Sequence, residues 1–312
     1  MSSDLIKAIR AQSKLSISQA ISLIENKQED GSKLLSKLFK YTGNAYRIGI
    51  TGPPGVGKSS LTDNLISAFR KMDQTVAVIA VDPTSSFSGG ALLGDRIRMT
   101  THHSDPQVFI RSMATRGEHG GLALRTEEVG EIFDAAQFDI IIYETVGVGQ
   151  IELDIIQAAD SVIVVLMPES GDEIQMLKAG LMEIGNIFAI NKTDCPGANK
   201  LMITLKNLLS TLPVDEDTWQ PEVINTIATE GKGTDCLLKS LRSHQSFNKS
   251  KGIQRQKYNN RYQQRVNVLI STKIQDKFWN KDKTDILESE LQKGQHDRIS
   301  PYLLAKKLLK YE

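Results

Sequence analysis

The chain has 312 residues, of which 40% are hydrophobic and 24% are charged, a composition suited to one sizeable α/β domain with extensions. Its 38 basic and 37 acidic residues nearly balance, so no overall field favours nucleic acid or an anionic membrane. Two cysteines are too few for a disulfide framework, and no apolar run approaches the roughly 20 residues needed to cross a bilayer. The sequence therefore predicts a cytoplasmic protein that binds no nucleic acid and does not insert into a membrane.

The first part of the chain, residues 1–43, has the apolar spacing of amphipathic helices. The two apolar stripes are Ile17, Ala20, Ile21 and Ile24, and then Leu34, Leu35 and Leu38. We expect a helical N-terminal extension here.

From Tyr46 the period changes, and short β-branched runs alternate with amphipathic segments, which predicts a doubly wound, mostly parallel α/β sheet. The runs are Arg47 to Thr51, Val76 to Val81, Phe138 to Tyr143, Ser161 to Met167, Ile187 to Asn191 and Glu222 to Ile227. We expect this domain to span residues 44–247. Residues 248–312 begin with a polar, basic stretch and regain helical spacing near Val268, which predicts a linker followed by a helical arm.

A glycine-rich motif stands between the first of these runs and a helical segment that begins at Ser60. The motif is Gly52-Pro53-Pro54-Gly55-Val56-Gly57-Lys58-Ser59. Such a loop presents backbone N–H groups and a helix N-terminus to phosphate oxygens. We expect Lys58 to reach the β- and γ-phosphates and Ser59 to bind the Mg²⁺ ion that bridges them. The sheet is therefore predicted to be that of a P-loop NTPase, with residues 52–60 binding the nucleotide.

A second motif, Asn191-Lys192-Thr193-Asp194, follows another strand at the edge where doubly wound sheets bind ligands. The carboxylate of Asp194 can accept hydrogen bonds from N1–H and the 2-amino group of guanine, and adenine offers neither donor. An ATP complex would leave this carboxylate unpaired, so the motif favours GTP. Thr226-Ile227-Ala228 is placed to back the base with main-chain N–H groups, although a plain strand end explains it equally well.

Three carboxylates, Asp82, Asp95 and Glu144, stand at strand ends or in nearby loops, where they could order Mg²⁺ or its water shell. Two glycine-containing segments, residues 85–94 and 145–150, are predicted to sense the γ-phosphate. Gln150 is a candidate for orienting the attacking water, with a structural amide as the alternative. Candidates for stabilising transition-state charge are Arg98, Arg116 and Lys178.

Further motifs accompany these two in chain order. They are Val81-Asp82-Pro83-Thr84-Ser85, Ser88-Gly89-Gly90, Leu93-Gly94-Asp95, Glu144-Thr145-Val146-Gly147-Val148-Gly149-Gln150 and Gly171-Asp172-Glu173-Ile174-Gln175. Together with the P-loop and the guanine motif, the sequence resembles the MeaB/ArgK-type GTPases, a family that includes chaperones of methylmalonyl-CoA mutase. The resemblance covers nearly the whole chain, and only the part beyond Phe247 matches loosely.

The resemblance implies a GTPase that converts GTP to GDP and controls the loading and protection of adenosylcobalamin in an acyl-CoA mutase, without holding the cobalamin itself. It implies Mg²⁺ and switch roles for four residues and places Lys178 in a third switch. The four residues are Ser59, Asp82, Asp95 and Glu144. It also implies a homodimer joined through the C-terminal arm.

Two alternatives remain open at the level of sequence. Some relatives carry the name of an ATPase or kinase of lysine/arginine/ornithine transport, which the guanine motif makes chemically awkward. A related class of GTPases inserts nickel or another metal, and such a protein should show a Cys- or His-rich segment, which this sequence lacks.

Overall fold

A computed structural model describes residues 3–26, 28–82, 100–102, 104–114, 121–145, 147, 156–168, 181–213, 215 and 217–310. The chain divides into two compact units, Met1–Lys257 and Tyr258–Glu312. None of the helices within the described ranges is long and apolar enough to span a membrane.

The chain begins with three helices, α1 (Ser3–Arg10), α2 (Lys14–Asn26) and α3 (Gln28–Leu38), and a 3₁₀ turn, Phe39–Tyr41. The apolar stripes predicted from the sequence are all buried. They share one hydrophobic cluster with residues of the sheet, such as Ile79. The predicted helical N-terminal extension is confirmed, and its burial against the sheet shows that it belongs to the core of the first unit.

The first unit is built around a seven-stranded, all-parallel sheet in the order β3-β2-β4-β1-β5-β6-β7. The strands are β1 (Tyr46–Thr51), β2 (Val76–Asp82), β3 (Val108–Ala114), β4 (Ile140–Thr145), β5 (Ser161–Leu166), β6 (Ile187–Ile190) and β7 (Glu222–Asn225). The predicted doubly wound α/β sheet is confirmed. Strand β3 was not predicted, because Arg111 and Ser112 interrupt its apolar pattern at an edge of the sheet.

Helices cover both faces of this sheet. They are α4 (Lys58–Arg70), α5 (Gly121–Ala135), α6 (Ala198–Leu209) and α7 (Thr234–Ser250), with short helical turns at Thr100–His102, Met182–Ile184 and Ala228–Glu230. Leu61 and Leu65 of α4 pack with Leu237 of α7 on one face. Phe133 of α5 packs on the other face together with the N-terminal helices. Within the described residues, the carboxyl edge of the sheet carries the cavity described below.

Three further helices complete the chain, α8 (Ile253–Phe278), α9 (Lys281–Leu291) and α10 (Pro301–Leu309). The predicted helical C-terminal extension is confirmed. Helices also occupy the stretch where the sequence predicted a linker, since only Lys251 and Gly252 separate α7 from α8. A polar, basic sequence can form such a helix when most of its surface is solvated. The domain limits 44–247 and 248–312 remain predictions.

The amino edge of the sheet carries a buried chain of polar side chains. Tyr46 begins β1, Ser161 begins β5, and His244 lies on α7; their polar atoms meet in the order Tyr46 Oη, Ser161 Oγ, His244 Nδ1. Tyr46 Oη also donates to the carbonyl oxygen of Leu241 at 3.0 Å. Burial raises the pKa of Tyr46 and, with Lys257 nearby, lowers the pKa of His244 to about 3. His244 is therefore neutral at this edge.

Candidate nucleotide site

The glycine-rich loop connects β1 to α4, as the motif predicted. Gly52 and Gly57 have φ values of 145° and 95°, which favour glycine. A Cβ atom at Gly52 would lie 2.2 Å from the carbonyl oxygen of Val165, and one at Gly57 would lie 2.3 Å from Nδ2 of Asn191. These glycines therefore let the loop approach β5 and the guanine motif closely.

Lys58 is the first residue of α4, and its side chain is buried. Its Nζ donates hydrogen bonds to the carbonyl oxygens of Gly52 at 2.8 Å and Pro53 at 2.7 Å. The main chain of the loop thus holds the ammonium group inside the loop. A cation fixed there, beside a helix N-terminus, is suited to bind an anion.

Ser59 and Glu144 meet although they belong to different elements. The hydroxyl of Ser59 donates to Oε1 of Glu144 at 2.6 Å. Glu144 lies in β4 between Ile50 of β1 and Ala80 of β2, and is buried. A hydroxyl and a carboxylate are hard oxygen ligands of the kind that Mg²⁺ prefers, so this pair fits the predicted metal.

The other predicted metal and catalytic residues are described only in part. Asp82 is the last residue of β2, and its backbone is in register with Ala114. It therefore ends its strand at the same edge as Glu144. Asp95, Gln150 and Lys178 lie outside the described residues, as do Arg98 and Arg116. Their proposed roles stay predictions.

The guanine motif follows β6 directly. The side chain of Asn191 is buried and donates from Nδ2 to the carbonyl oxygen of Val56, at 2.8 Å, within the P-loop. Lys192 has a φ of 56°, and its Nζ contacts Sδ of Met167 at 3.4 Å. Asn191 therefore fixes the guanine motif to the P-loop, while Asp194 lines the cavity described below.

The turn after β7 holds the three main-chain N–H groups that were predicted to back the base. The N–H group of Thr226 donates to Ile190 O at 2.8 Å, and that of Ile227 donates to Lys232 O at 3.1 Å. The N–H group of Ala228 donates to Oδ1 of Asn191 at 2.9 Å. Each of the three predicted base donors thus has an acceptor within the protein in this arrangement. Ile227 and Ala228 still line the cavity, whereas Thr226 is buried behind it.

A cavity of about 640 Å³ brings most of the predicted residues together. Its lining includes Pro54, Gly55, Gly57, Lys58, Ser59, Ser60, Glu144, Asn191, Lys192, Asp194, Ile227 and Ala228. Gly52, Pro53 and Val56 complete the loop without lining the cavity. Thr145, which begins the predicted segment 145–150, also lines it. Cys195 and Thr229 line it too and were missed, although each directly follows a predicted residue.

Comparisons with known proteins agree with this geometry. The family model described as methylmalonyl-CoA mutase-associated GTPase MeaB matches residues 17–283. A protein of Pyrococcus abyssi whose name assigns it as a GTPase is 44% identical over 99% of this chain and 96% of its own length. GTPase ArgK of Escherichia coli is 35% identical over 74% of this chain and 72% of its own. The crystal structure of an LAO/AO transport system kinase superposes with a TM-score of 0.73, at 25% identity, covering 99% of this chain and 96% of that one.

Proposed function

This chain belongs to the MeaB family of methylmalonyl-CoA mutase-associated GTPases, and we propose that it is a Mg²⁺-dependent switch that controls cofactor loading and protection in an adenosylcobalamin-dependent acyl-CoA mutase. The observation that carries the proposal is that the P-loop and the guanine motif line one and the same cavity. Phosphate-binding and base-selecting groups thus face one volume of about 640 Å³, large enough for a nucleotide.

Guanine is selected in this proposal by Asp194, whose carboxylate accepts from N1–H and the 2-amino group of the base. Asn191 supports this contact by tying the guanine motif to Val56 of the P-loop. Because the base and the phosphates are then bound by two loops that are joined to each other, the distance between the two subsites is fixed. GTP and GDP are the ligands that match both.

The phosphates are bound by the backbone of residues 52–60 and by Lys58. Phosphate oxygens would replace the carbonyl oxygens of Gly52 and Pro53 as acceptors for the Lys58 ammonium group. Ser59 and Glu144 would hold Mg²⁺ directly or through its water shell, with Asp82 and Asp95 as further predicted ligands. When bound, Mg²⁺ neutralises charge on the β- and γ-phosphates.

Hydrolysis needs an oriented water molecule and stabilisation of the charge on the transferred group. We assign the first role to Gln150 and the second to Lys58 and Lys178, with Glu144 ordering the surrounding groups. We expect slow turnover until a partner completes the site. The nucleotide state, more than the rate, would then carry the signal.

The partner in this proposal is an acyl-CoA mutase, and the family description supports methylmalonyl-CoA mutase in particular. We also propose a homodimer joined through the C-terminal arm, residues 248–312. This arm exposes apolar side chains that a second copy could cover. The exposed ones are Tyr262, Val266, Val268, Leu269, Ile270, Ile274, Trp279, Leu291, Ile299, Tyr302, Leu303 and Leu309.

The second candidate is an ATPase or kinase of lysine/arginine/ornithine transport, since a structural neighbour carries that name. Asp194 argues against ATP as the nucleotide, because adenine would leave its carboxylate unpaired. A metal-insertion GTPase ranks lower. Within the described parts of the chain, no group of three or more His, Cys, Asp or Glu side chains could hold a metal cargo.

The decisive experiment measures phosphate release from GTP and from ATP, with Mg²⁺ or with EDTA, in the presence and absence of methylmalonyl-CoA mutase. We expect Mg²⁺-dependent turnover of GTP that rises with the mutase and is lost in Lys58→Ala. GTP turnover that the mutase leaves unchanged would support the GTPase activity and contradict the mutase as the partner. A preference for ATP would overturn the role of Asp194 and favour the second candidate.

A further inference from the structure

The base turn, residues 227–231, is attached to the rest of the protein through Ala228. The N–H group of Ala228 donates to Oδ1 of Asn191 at 2.9 Å. Its carbonyl oxygen accepts from Nδ2 of Asn64 at 2.7 Å. One residue that lines the nucleotide cavity is therefore held on both sides, by the guanine motif and by a helix.

That helix is α4, which begins with the phosphate-binding residues Lys58 and Ser59. At about 1.5 Å per residue, Asn64 lies roughly 9 Å along the helix from Lys58. Asn64 is half-buried, and its side-chain amide joins α4 to the base turn by a hydrogen bond. The position of the turn is thus set by the same rigid element that sets the position of the phosphates.

The contact is of a kind that positions a site rather than performing chemistry. Ala228 lines the cavity and Asn64 does not, so Asn64 acts on a ligand only through the turn. A hydrogen bond between a side-chain amide and a partly buried carbonyl contributes about 1 kcal/mol, which corresponds to roughly a fivefold change in affinity. Its loss would let the turn move away from the base while the P-loop stays in place.

We infer that Asn64 is a positioning residue for the guanine base: by holding Ala228 against α4, it fixes the spacing between base and phosphate subsites and sets the affinity for guanine nucleotides. This inference rests on the proposed function of the cavity as a guanine-nucleotide site. It assigns a role to a residue that carries no motif and would contact neither the base nor the phosphates.

The test compares Asn64→Ala with Asn207→Ala, which removes an exposed asparagine of α6 outside the cavity lining. The dissociation constant of a fluorescent GDP analogue should rise about fivefold in Asn64→Ala and stay unchanged in Asn207→Ala. The KM for GTP should rise by a similar factor, while kcat at saturating GTP stays within about twofold of the wild-type value. Asn64→Asp serves as a second variant, because its carboxylate cannot donate and would repel the carbonyl oxygen of Ala228.

A double-mutant cycle with Asp194→Asn separates positioning from general loosening of the fold. If Asn64 acts through base recognition, its fivefold effect on GDP binding should shrink once Asp194 no longer pairs with the base. An unchanged GDP affinity in both Asn64 variants, or an equal factor in the Asp194→Asn background, would overturn the inference. Failure of the wild-type chain to bind GDP would instead overturn the proposed function, and the inference with it.

Discussion

The two edges of the parallel sheet use polar side chains in opposite ways. At the amino edge, Tyr46, Ser161 and His244 form a buried chain of hydrogen bonds that ends on the main chain of α7. At the carboxyl edge, Lys58 and Glu144 are also buried, yet they line a cavity of about 640 Å³. We call the first the closed edge, and we call the second, whose described residues line a cavity, the open edge.

The difference follows from the connections of a parallel sheet. Strands of such a sheet all point the same way, so the loops that leave their carboxyl ends gather at one edge and can present ligand contacts there. The amino ends are covered by returning helices, here α7. Polar groups trapped at that edge must be paired within the protein, because an unpaired buried group costs about 1–3 kcal/mol.

The hydrogen bonds that join Tyr46, Ser161 and His244 also determine which group carries each proton. Tyr46 donates its only proton to Leu241 O, so Ser161 must donate to Tyr46, and His244 must donate from Nδ1 to Ser161. This assignment gives each of these three contacts one donor. Nδ2 of Asn248, which lies 3.5 Å from the same Nδ1, then donates to Asp160 O instead. Protonation of the second ring nitrogen would place a buried positive charge near Lys257, which is why the pKa of His244 falls to about 3.

The largest effect should come from removing the cation of the open edge. Lys58→Ala should lower kcat/KM for GTP by roughly 10²–10³, because it deletes the charge that faces the phosphates. Phosphate release measures this, with Lys71→Ala as the control, since Lys71 is an exposed residue that follows the same helix. Equal rates for the wild-type chain and Lys58→Ala would remove Lys58 from the catalytic machinery.

The next largest effect concerns the part of the open edge that is proposed to bind the base. Asp194→Asn should weaken GTP binding by roughly 100-fold, because the amide cannot accept from both guanine donors. Binding of xanthosine triphosphate should improve, since its 2-oxo group can accept from the new amide. Asp285→Asn, an exposed change on α9, is the control and should leave the GTP preference unchanged. A variant that still prefers GTP would show that Asp194 does not bind the base.

A smaller effect concerns the closed edge and pH. His244 has its pKa lowered to about 3 in the folded state and stays near its usual 6.5 when unfolded, so the unfolded chain binds more protons below pH 6.5. This stabilising contribution is present above the unfolded pKa and is lost as the pH falls towards 3. Between pH 7.5 and 5 the loss should reach about 2 kcal/mol.

Denaturant unfolding can follow this effect through the fluorescence of Trp219, whose ring centroid lies 4.8 Å from that of His244. The stability advantage of the wild-type chain over His244→Gln should shrink by about 2 kcal/mol across that pH range. The difference in free energy of unfolding between the wild-type chain and His296→Gln should stay constant across this range, because His296 is exposed. A pH-independent gap between wild type and His244→Gln would contradict the role of this histidine.

The smallest effect comes from removing the tyrosine hydroxyl at the other end of this series of hydrogen bonds. Tyr46→Phe should reduce the free energy of unfolding by about 1 kcal/mol, because Ser161 and Leu241 O each lose a partner. GTP turnover should not change, since Tyr46 lies at the opposite edge from the cavity. Tyr302→Phe alters an exposed tyrosine and should be neutral in the same unfolding measurement.

Most of the sheet could be predicted from periodicity, because β1, β2, β4, β5 and β6 read as short, nearly continuous apolar runs that are buried, and β7 still carries two β-branched residues. Strand β3 could not, since it pairs only with β2 and tolerates the polar residues Arg111 and Ser112. The stretch after Phe247 was predicted as a linker for a related reason. Beyond Asn248 it forms the helix Ile253–Phe278, which has no buried side chain, so no apolar stripe facing a core marks it in the sequence.

The sequence alone determined the ligand class, because the P-loop and the guanine motif each place their chemistry within a few adjacent residues. Only the tertiary structure decided which distant residues meet there. Ser59 and Glu144 are 85 residues apart and touch because β4 lies beside β1. Asn64 and Ala228 are 164 residues apart, and no local pattern marks their contact. Covalent neighbours fix a motif, whereas the order of strands and the packing of helices fix the cavity around it.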